Sequence, residues 1–154
     1  MMDKNTLVDL LVEDMIKLNI KASSWEDAVK IGVGLLIESG GVEKRYLESI
    51  FKMIGELGPY VVVCPGIALV HAGPNEGVNR TCFSLITLKK PVDFGVPEND
   101  PIDIVFCFAS PSKEGHMHAL RQLALFCSES SNLDKIRQSD NSMNVRDLLV
   151  DYLS

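Results

Sequence analysis

The sequence predicts an α/β fold in a single domain, and three observations predict it. Over the first third of the chain, apolar residues recur at three- and four-residue steps, as on the buried face of a helix. From Tyr60 onward the pattern changes to short apolar runs rich in branched residues, as in buried strands, before helical spacing returns near Met117. Finally, 154 residues, 46% hydrophobic and 23% charged, suffice for one well-buried core, and no repeat, low-complexity tract or linker divides them.

Taken in order, Leu7, Leu10, Leu11, Met15 and Leu18 predict a first helix over residues 5–18, with Leu11 and Met15 on its core side. Ser23-Ser24-Trp25-Glu26 has the spacing of a capping box from Ser23 to Glu26. It opens a second helix carrying Ala28, Ile31, Leu35 and Leu36, which Gly40-Gly41 stops. A third helix over 42–56 places Tyr46, Leu47, Ile50, Phe51 and Ile54 on one side and ends at Gly58-Pro59. Three helices are therefore expected before any strand.

Residues 60–63 and 67–70 read as strands covered on both faces, broken by a tight bend at Pro65-Gly66. Residues 81–88 are apolar on both alternating faces, which marks an inner strand. Lys89-Lys90-Pro91 ends it, Val92-Asp93-Phe94 reads as a short edge strand, and 95–101 as a polar loop holding Glu98, Asn99 and Asp100, with Asp103 nearby. Residues 102–109 form the next strong strand, which brings the count to about five. Ser110 to Gly115 is a turn, after which Met117, Leu120, Leu123, Ala124 and Cys127 give a helical stripe with His116 in its first turn. Two further helical segments, 132–137 and 145–153, flank the polar stretch 138–144.

The formal net charge of −6 and pI near 5.0 argue against a nucleic-acid surface or a basic membrane-binding face, and favour a partner rich in Lys and Arg. No run of about 18 apolar residues occurs. The opening Met1-Met2-Asp3-Lys4-Asn5 has no signal-peptide pattern, so a soluble, cytoplasmic chain is expected. Cys64, Cys82, Cys107 and Cys127 are widely separated and form no C-x-x-C pair, as for buried reduced thiols.

The chemistry concentrates in one stretch, Cys64-Pro65-Gly66-Ile67-Ala68-Leu69-Val70-His71-Ala72-Gly73-Pro74. A buried-strand composition running straight into a histidine holds a reactive side chain on a rigid element at the rim of a site. Histidine is neutral enough near pH 7 to serve as nucleophile, base or ligand. A core histidine bonded to a backbone carbonyl is the alternative reading of the same window. His116 and His118 open one helix, and in an α/β fold strand ends and adjoining helix N-termini converge on one rim, so His71 and His116 are candidates to face each other. His118 lies about 200° around a helix from His116 and is expected to face solvent.

No H-E-x-x-H or paired Cys/His set is present, nor a G-x-S-x-G elbow, a Walker loop or a G-x-G-x-x-G, so neither a metal nor a nucleotide cofactor is expected. A histidine acting as its own nucleophile towards a phosphoryl group fits what remains. It needs positioning and donors for the moving oxygens, which backbone N–H groups around Gly73 and Gly77, the helix N-terminus near His116 and His116 itself are suited to supply.

The run from Gly58 to Val78, the segments Lys89-Lys90-Pro91-Val92-Asp93-Phe94 and Asn99-Asp100-Pro101-Ile102-Asp103-Ile104, and the later His116 together resemble a known family. It is the enzyme IIA proteins of the bacterial phosphoenolpyruvate-dependent sugar phosphotransferase system, mannitol/fructose type, and within them the ascorbate branch. The resemblance covers nearly the whole chain. It implies a mixed β-sheet with helices on both faces, and a catalytic His71 that takes a phosphoryl group from the phosphocarrier histidine protein and gives it to a cysteine of enzyme IIB, assisted by His116. It also implies uptake of ascorbate or a related pentose or pentitol. A homodimer is plausible on base rates alone.

The chain departs from the family at three places. Val70 stands where a proline usually precedes the active histidine, and Gly73 where the ascorbate branch commonly has an arginine. Met53, beside Lys52, stands where mannitol-type members carry an arginine. Proline would fix the backbone leading into the histidine, and arginine would clamp phosphate bidentately. Arg80, Lys89 and Lys90 are the remaining cation candidates, although each reads more readily as a solvated strand end. The competing reading is a regulatory protein-binding module that keeps the fold with weakened phosphotransfer.

Overall fold

The computed structural model describes residues 6–153, apart from the side chains at positions 113, 115 and 116. Its element order is α1 (Leu7–Leu10), a 3₁₀ turn (Glu13–Met15), β1 (Ile16–Ile20), α2 (Trp25–Glu38), α3 (Arg45–Leu57), β2 (Val62–Cys64), β3 (Ile67–Val70), β4 (Cys82–Val92), β5 (Ile102–Ala109), α4 (Lys113–Cys127), α5 (Ser130–Gln138) and α6 (Ser142–Leu153). The strands form one sheet in the order β1-β4-β5-β3-β2. β1 runs parallel to β4 and β3 parallel to β5, whereas β4/β5 and β2/β3 are antiparallel, so the sheet is mixed, as expected.

Helices cover both faces because the central strands are apolar on both. Residues 82–88 of β4 are all buried, and β5 is buried except at Asp103. One core, which includes Val33, Leu36, Tyr46, Ile50, Ile86 and Val105, lies under α2 and α3. The other, which includes Leu7, Leu11, Phe83, Phe106, Phe126 and Leu149, lies under α1, α4, α5 and α6. Each fully buried large side chain contributes about 1.5–3 kcal/mol of transfer free energy, so these two layers dominate the stability.

The first predicted helix is corrected. Only Leu7–Leu10 is helical. After the 3₁₀ turn, Ile16–Ile20 forms β1 with alternating burial and pairs with β4, so a strand does precede α2. The helical spacing misled because it assumed a single buried face. Leu11 packs in the α4/α6 layer, while Met15 packs in the α2/α3 layer across the sheet. Gln122 Oε1 accepts from Leu7 N–H at 2.8 Å, and Arg146 Nη1 donates to Leu11 O at 3.0 Å, which seats α1 on α4 and α6.

The cap of α2 is shifted by one residue. Ser24 Oγ accepts from Asp27 N–H at 3.2 Å, and Asp27 Oδ2 accepts from Ser23 N–H at 3.0 Å, a reciprocal box built on Asp27 rather than Glu26. Gly40 and Gly58, with φ of 79° and 81°, follow α2 and α3 as predicted.

The short strand predicted at Val92–Phe94 is not separate. β4 continues through Pro91 to Val92, which pairs with Ile102 past a register shift. Pro91 is tolerated there because β1 stops pairing at Leu88, leaving that side of β4 without a strand partner among the described residues. β2 is only partly buried and forms one edge of the sheet, rather than being covered on both faces. Likewise, the buried stripe of α4 runs through Ala119, Leu123 and Phe126, while Met117 and Ala124 are exposed.

Candidate functional site

β3 and β5 run parallel, with Val70 opposite Cys107, so His71 and the end of β5 share one rim. α4 begins three residues after β5, at Lys113, which puts its N-terminus at the same rim. His71 is therefore the first residue off a rigid strand.

Its ring is half-buried and held on three sides. Nδ1 lies 2.9 Å from Leu69 O. A carbonyl oxygen only accepts, so Nδ1 carries a proton, and in the neutral imidazole the lone pair then sits on Nε2. Phe108 stacks on one face, with centroids 5.0 Å apart and planes 18° off parallel, and Tyr60 meets the ring edge-on at 5.3 Å and 87°. Phe83 stacks behind Phe108 at 5.4 Å, anchoring the sandwich in the α4 layer.

The backbone after His71 is held just as closely. The Tyr60 hydroxyl donates to His71 O. Ala72 N–H donates to the Tyr46 hydroxyl at 2.9 Å, and that hydroxyl in turn donates to Phe108 O at 2.8 Å. Burial pushes the Tyr60 phenol up to about 12 and the Tyr46 phenol well above its ordinary value, so both keep their protons near neutrality. Neither tyrosine stood out in the sequence. Tyr46 read as a core helix residue and Tyr60 as a strand residue, and the available signal was a hydroxyl on a buried stripe, which requires a partner.

The following loop folds back on α3. Glu43 N–H donates to Gly77 O at 2.8 Å, Val42 bridges Val78, and Ser49 Oγ donates to Glu76 Oε2 at 2.8 Å. A Cβ on Gly77, whose φ is 90°, would stand 2.8 Å from the Arg45 stem.

The backbone of His116 lies in the first turn of α4, inside the helix rather than at its start. Its side chain lies outside the described residues. His118 is exposed, as expected. Of the candidate cations, Arg80 Nη2 donates to Ser39 O at 2.6 Å and caps the end of α2. Lys89 and Lys90 follow Leu88, which pairs with Ile20 at the opposite end of the sheet from His71. Met53 sits under the site, its sulfur 3.9 Å from the Tyr60 hydroxyl. All four cysteines are free, and burial raises the thiols of Cys82, Cys107 and Cys127 to about 12, which keeps them protonated. No described helix is long and apolar enough to cross a membrane.

Comparison with known proteins agrees with this fold. Residues 9–152 match the model of the phosphoenolpyruvate-dependent sugar phosphotransferase system EIIA 2 family. The ascorbate-specific PTS system EIIA component of Escherichia coli strain K12 is 39% identical over 145 residues, covering 93% of this chain and 94% of that protein. Among solved structures, a Streptococcus pyogenes M1 GAS chain assigned as a PTS IIA domain superposes with a TM-score of 0.84 at 28% identity, covering 100% and 99% of the two chains. The mannitol enzyme IIA of Escherichia coli, solved in complex with phosphorylated enzyme IIB, shares the fold at a TM-score of 0.78 and 21% identity, covering 90% of this chain and 95% of that one. The chain belongs to the EIIA 2 family of the phosphoenolpyruvate-dependent sugar phosphotransferase system, whose members carry phosphoryl groups.

Proposed function

We propose that His71 is the phosphoryl carrier of this protein, taking the group on Nε2 from the phosphocarrier histidine protein and passing it to a cysteine of an enzyme IIB. The observation that carries the reading is the Nδ1–H bond to Leu69 O, which directs the lone pair to Nε2. In the first step the Nε2–P bond forms as the donor's P–N bond breaks. Nδ1 keeps its proton, so the ring becomes cationic, and the Leu69 carbonyl dipole stabilises that charge. In the second step a cysteine thiolate attacks phosphorus, the P–S bond forms, and the electron pair of the breaking N–P bond returns to a neutral imidazole.

The N-terminus of α4 offers backbone donors and a positive dipole end to the phosphoryl oxygens. His116, in that first turn, is assigned as the assisting donor. The enzyme IIB partner is supported by the mannitol complex, and ascorbate as the transported compound by the names of the 39%-identical relatives. A cytoplasmic setting follows from this role.

The test is phosphorylation by phosphoenolpyruvate, enzyme I and the phosphocarrier protein. His71→Ala is expected to abolish the label, and a labelled His71→Ala protein would sink the proposal. His116→Ala is expected to slow transfer by roughly 10²–10³, the loss typical of one transition-state donor. The acidic surface should make association with the phosphocarrier fall with ionic strength.

A further inference from the structure

We propose that Tyr46 and Tyr60 are positioning residues that grip the single His71–Ala72 peptide from its two edges and so aim the His71 ring for transfer. The inference rests on His71 being the acceptor.

The carbonyl that receives the Tyr60 proton and the N–H that reaches the Tyr46 oxygen belong to one planar unit, the peptide joining His71 to Ala72. Holding both edges of that plane removes rotation about the two torsions beside it, and with it the swing of the His71 Cα–Cβ bond. Tyr46 then spends its own proton on Phe108 O, tying the exit of β3 to the residue whose ring stacks on the imidazole. One phenol oxygen thus sets the relative height of nucleophile and platform.

The two tyrosines reach the peptide from α3 and from the segment just after it, elements that share no strand with His71. Proline would have pre-set the chain before the histidine, but Val70 leaves that torsion unrestrained by a ring. In this chain the restraint comes from after the histidine instead, from the two hydroxyls. Neither phenol is ionised near neutrality, so both bonds persist across the working pH range.

The test compares Tyr60→Phe and Tyr46→Phe, which keep the rings, by rapid-quench phosphoryl transfer from the phosphorylated carrier and by ¹⁵N NMR of the His71 imidazole. Tyr152→Phe is the control: it removes a phenol from α6, where the hydroxyl only meets Leu125 O at 3.4 Å. At saturating donor we expect transfer to slow about 10-fold in Tyr60→Phe and up to about 100-fold in Tyr46→Phe, the scale set by small misplacements of a reacting group. The half-saturating donor concentration should hold, and the His71 nitrogens should move towards a mixture of tautomers. Tyr152→Phe should change neither.

Folded Tyr→Phe proteins with unchanged rates would overturn the proposal. So would slowed transfer with His71 resonances as in the wild type, since that is what general destabilisation produces. Should Tyr46→Phe fail to fold, Tyr60→Phe decides alone. Label that survives in His71→Ala would overturn the acceptor assignment itself, and is read independently of the tyrosine variants.

Discussion

β3 is four residues long, and its two ends are held by different chemistry. At its entrance, Gly66 takes a φ of 79°, donates to Asn99 O at 2.9 Å and accepts from Asp103 and Ile104 N–H at 3.1 Å each. Over it lies Arg137, whose Nε donates to Asp103 Oδ2 at 2.9 Å. At its exit, the described hydrogen bonds on the His71–Ala72 peptide come from neutral phenols, and the one on the His71 ring from a carbonyl. With His71 as the proposed acceptor, the difference has a functional reason. A fixed carboxylate about 4 Å from a transferring phosphoryl group would cost on the order of 4 kcal/mol at an effective dielectric constant of about 20. Neutral bonds hold geometry without that penalty, whereas the entrance, at the other end of β3, carries an ion pair.

The comparison predicts that damage at the entrance costs stability and spares transfer. The largest effect is expected for Gly66→Ala. Its Cβ would stand 2.6 Å from Arg137 Nη2 at a positive φ, and the left-handed backbone alone costs about 1–3 kcal/mol. Urea denaturation should show the loss, with phosphoryl transfer by the folded fraction unchanged. A slowed transfer step would break the distinction between the two ends.

Asp103→Asn should cost less, about 0.2–1 kcal/mol, since the pair with Arg137 is partly exposed. Its difference from wild type should shrink as salt is added. A salt-independent difference would show that packing rather than charge holds the entrance.

The last effect vanishes at neutral pH, is confined to alkaline solution and belongs to the exit. Folding raises the Tyr60 phenol from 10.0 to about 12, so between those pH values the native state holds a proton that the unfolded state has lost. Stability is therefore undiminished below pH 10 and falls as pH rises through that window. The buried thiols of Cys82, Cys107 and Cys127, raised from 9.0 to about 12, start the same decline near pH 9. In Tyr60→Phe the slope above pH 10 should lose one proton's share, the remainder coming from the buried Tyr46 phenol and the thiols, and an unaltered slope would show that the Tyr60 phenol is not held protonated by the fold.

Much of this architecture was legible in the chain. Residues 102–109 were read with the bounds of β5, and the apolar face of α3 was read correctly, because each lies within one continuous pattern. The N-terminal segment was misread because Leu11 and Met15 serve opposite faces of the sheet while their spacing mimics one helical stripe. The run at 92–94 was misread because Lys89-Lys90-Pro91 looks like a terminator, yet Pro91 sits where β4 has no neighbour to lose. His71 was legible from an apolar strand ending in an imidazole. Tyr46 and Tyr60 were not, because their hydroxyl partners lie 26 and 62 residues away for the first and 11 for the second.

By itself the sequence determined the class of fold, the family, and the histidine at a strand end, since these depend on local periodicity and on a continuous motif. Only the tertiary structure decided that β1 enters the sheet beside β4, which ring nitrogen bears the proton, and that two phenols hold one peptide. Those outcomes depend on hydrogen bonds and packing across strands and layers, whose partners no local pattern names.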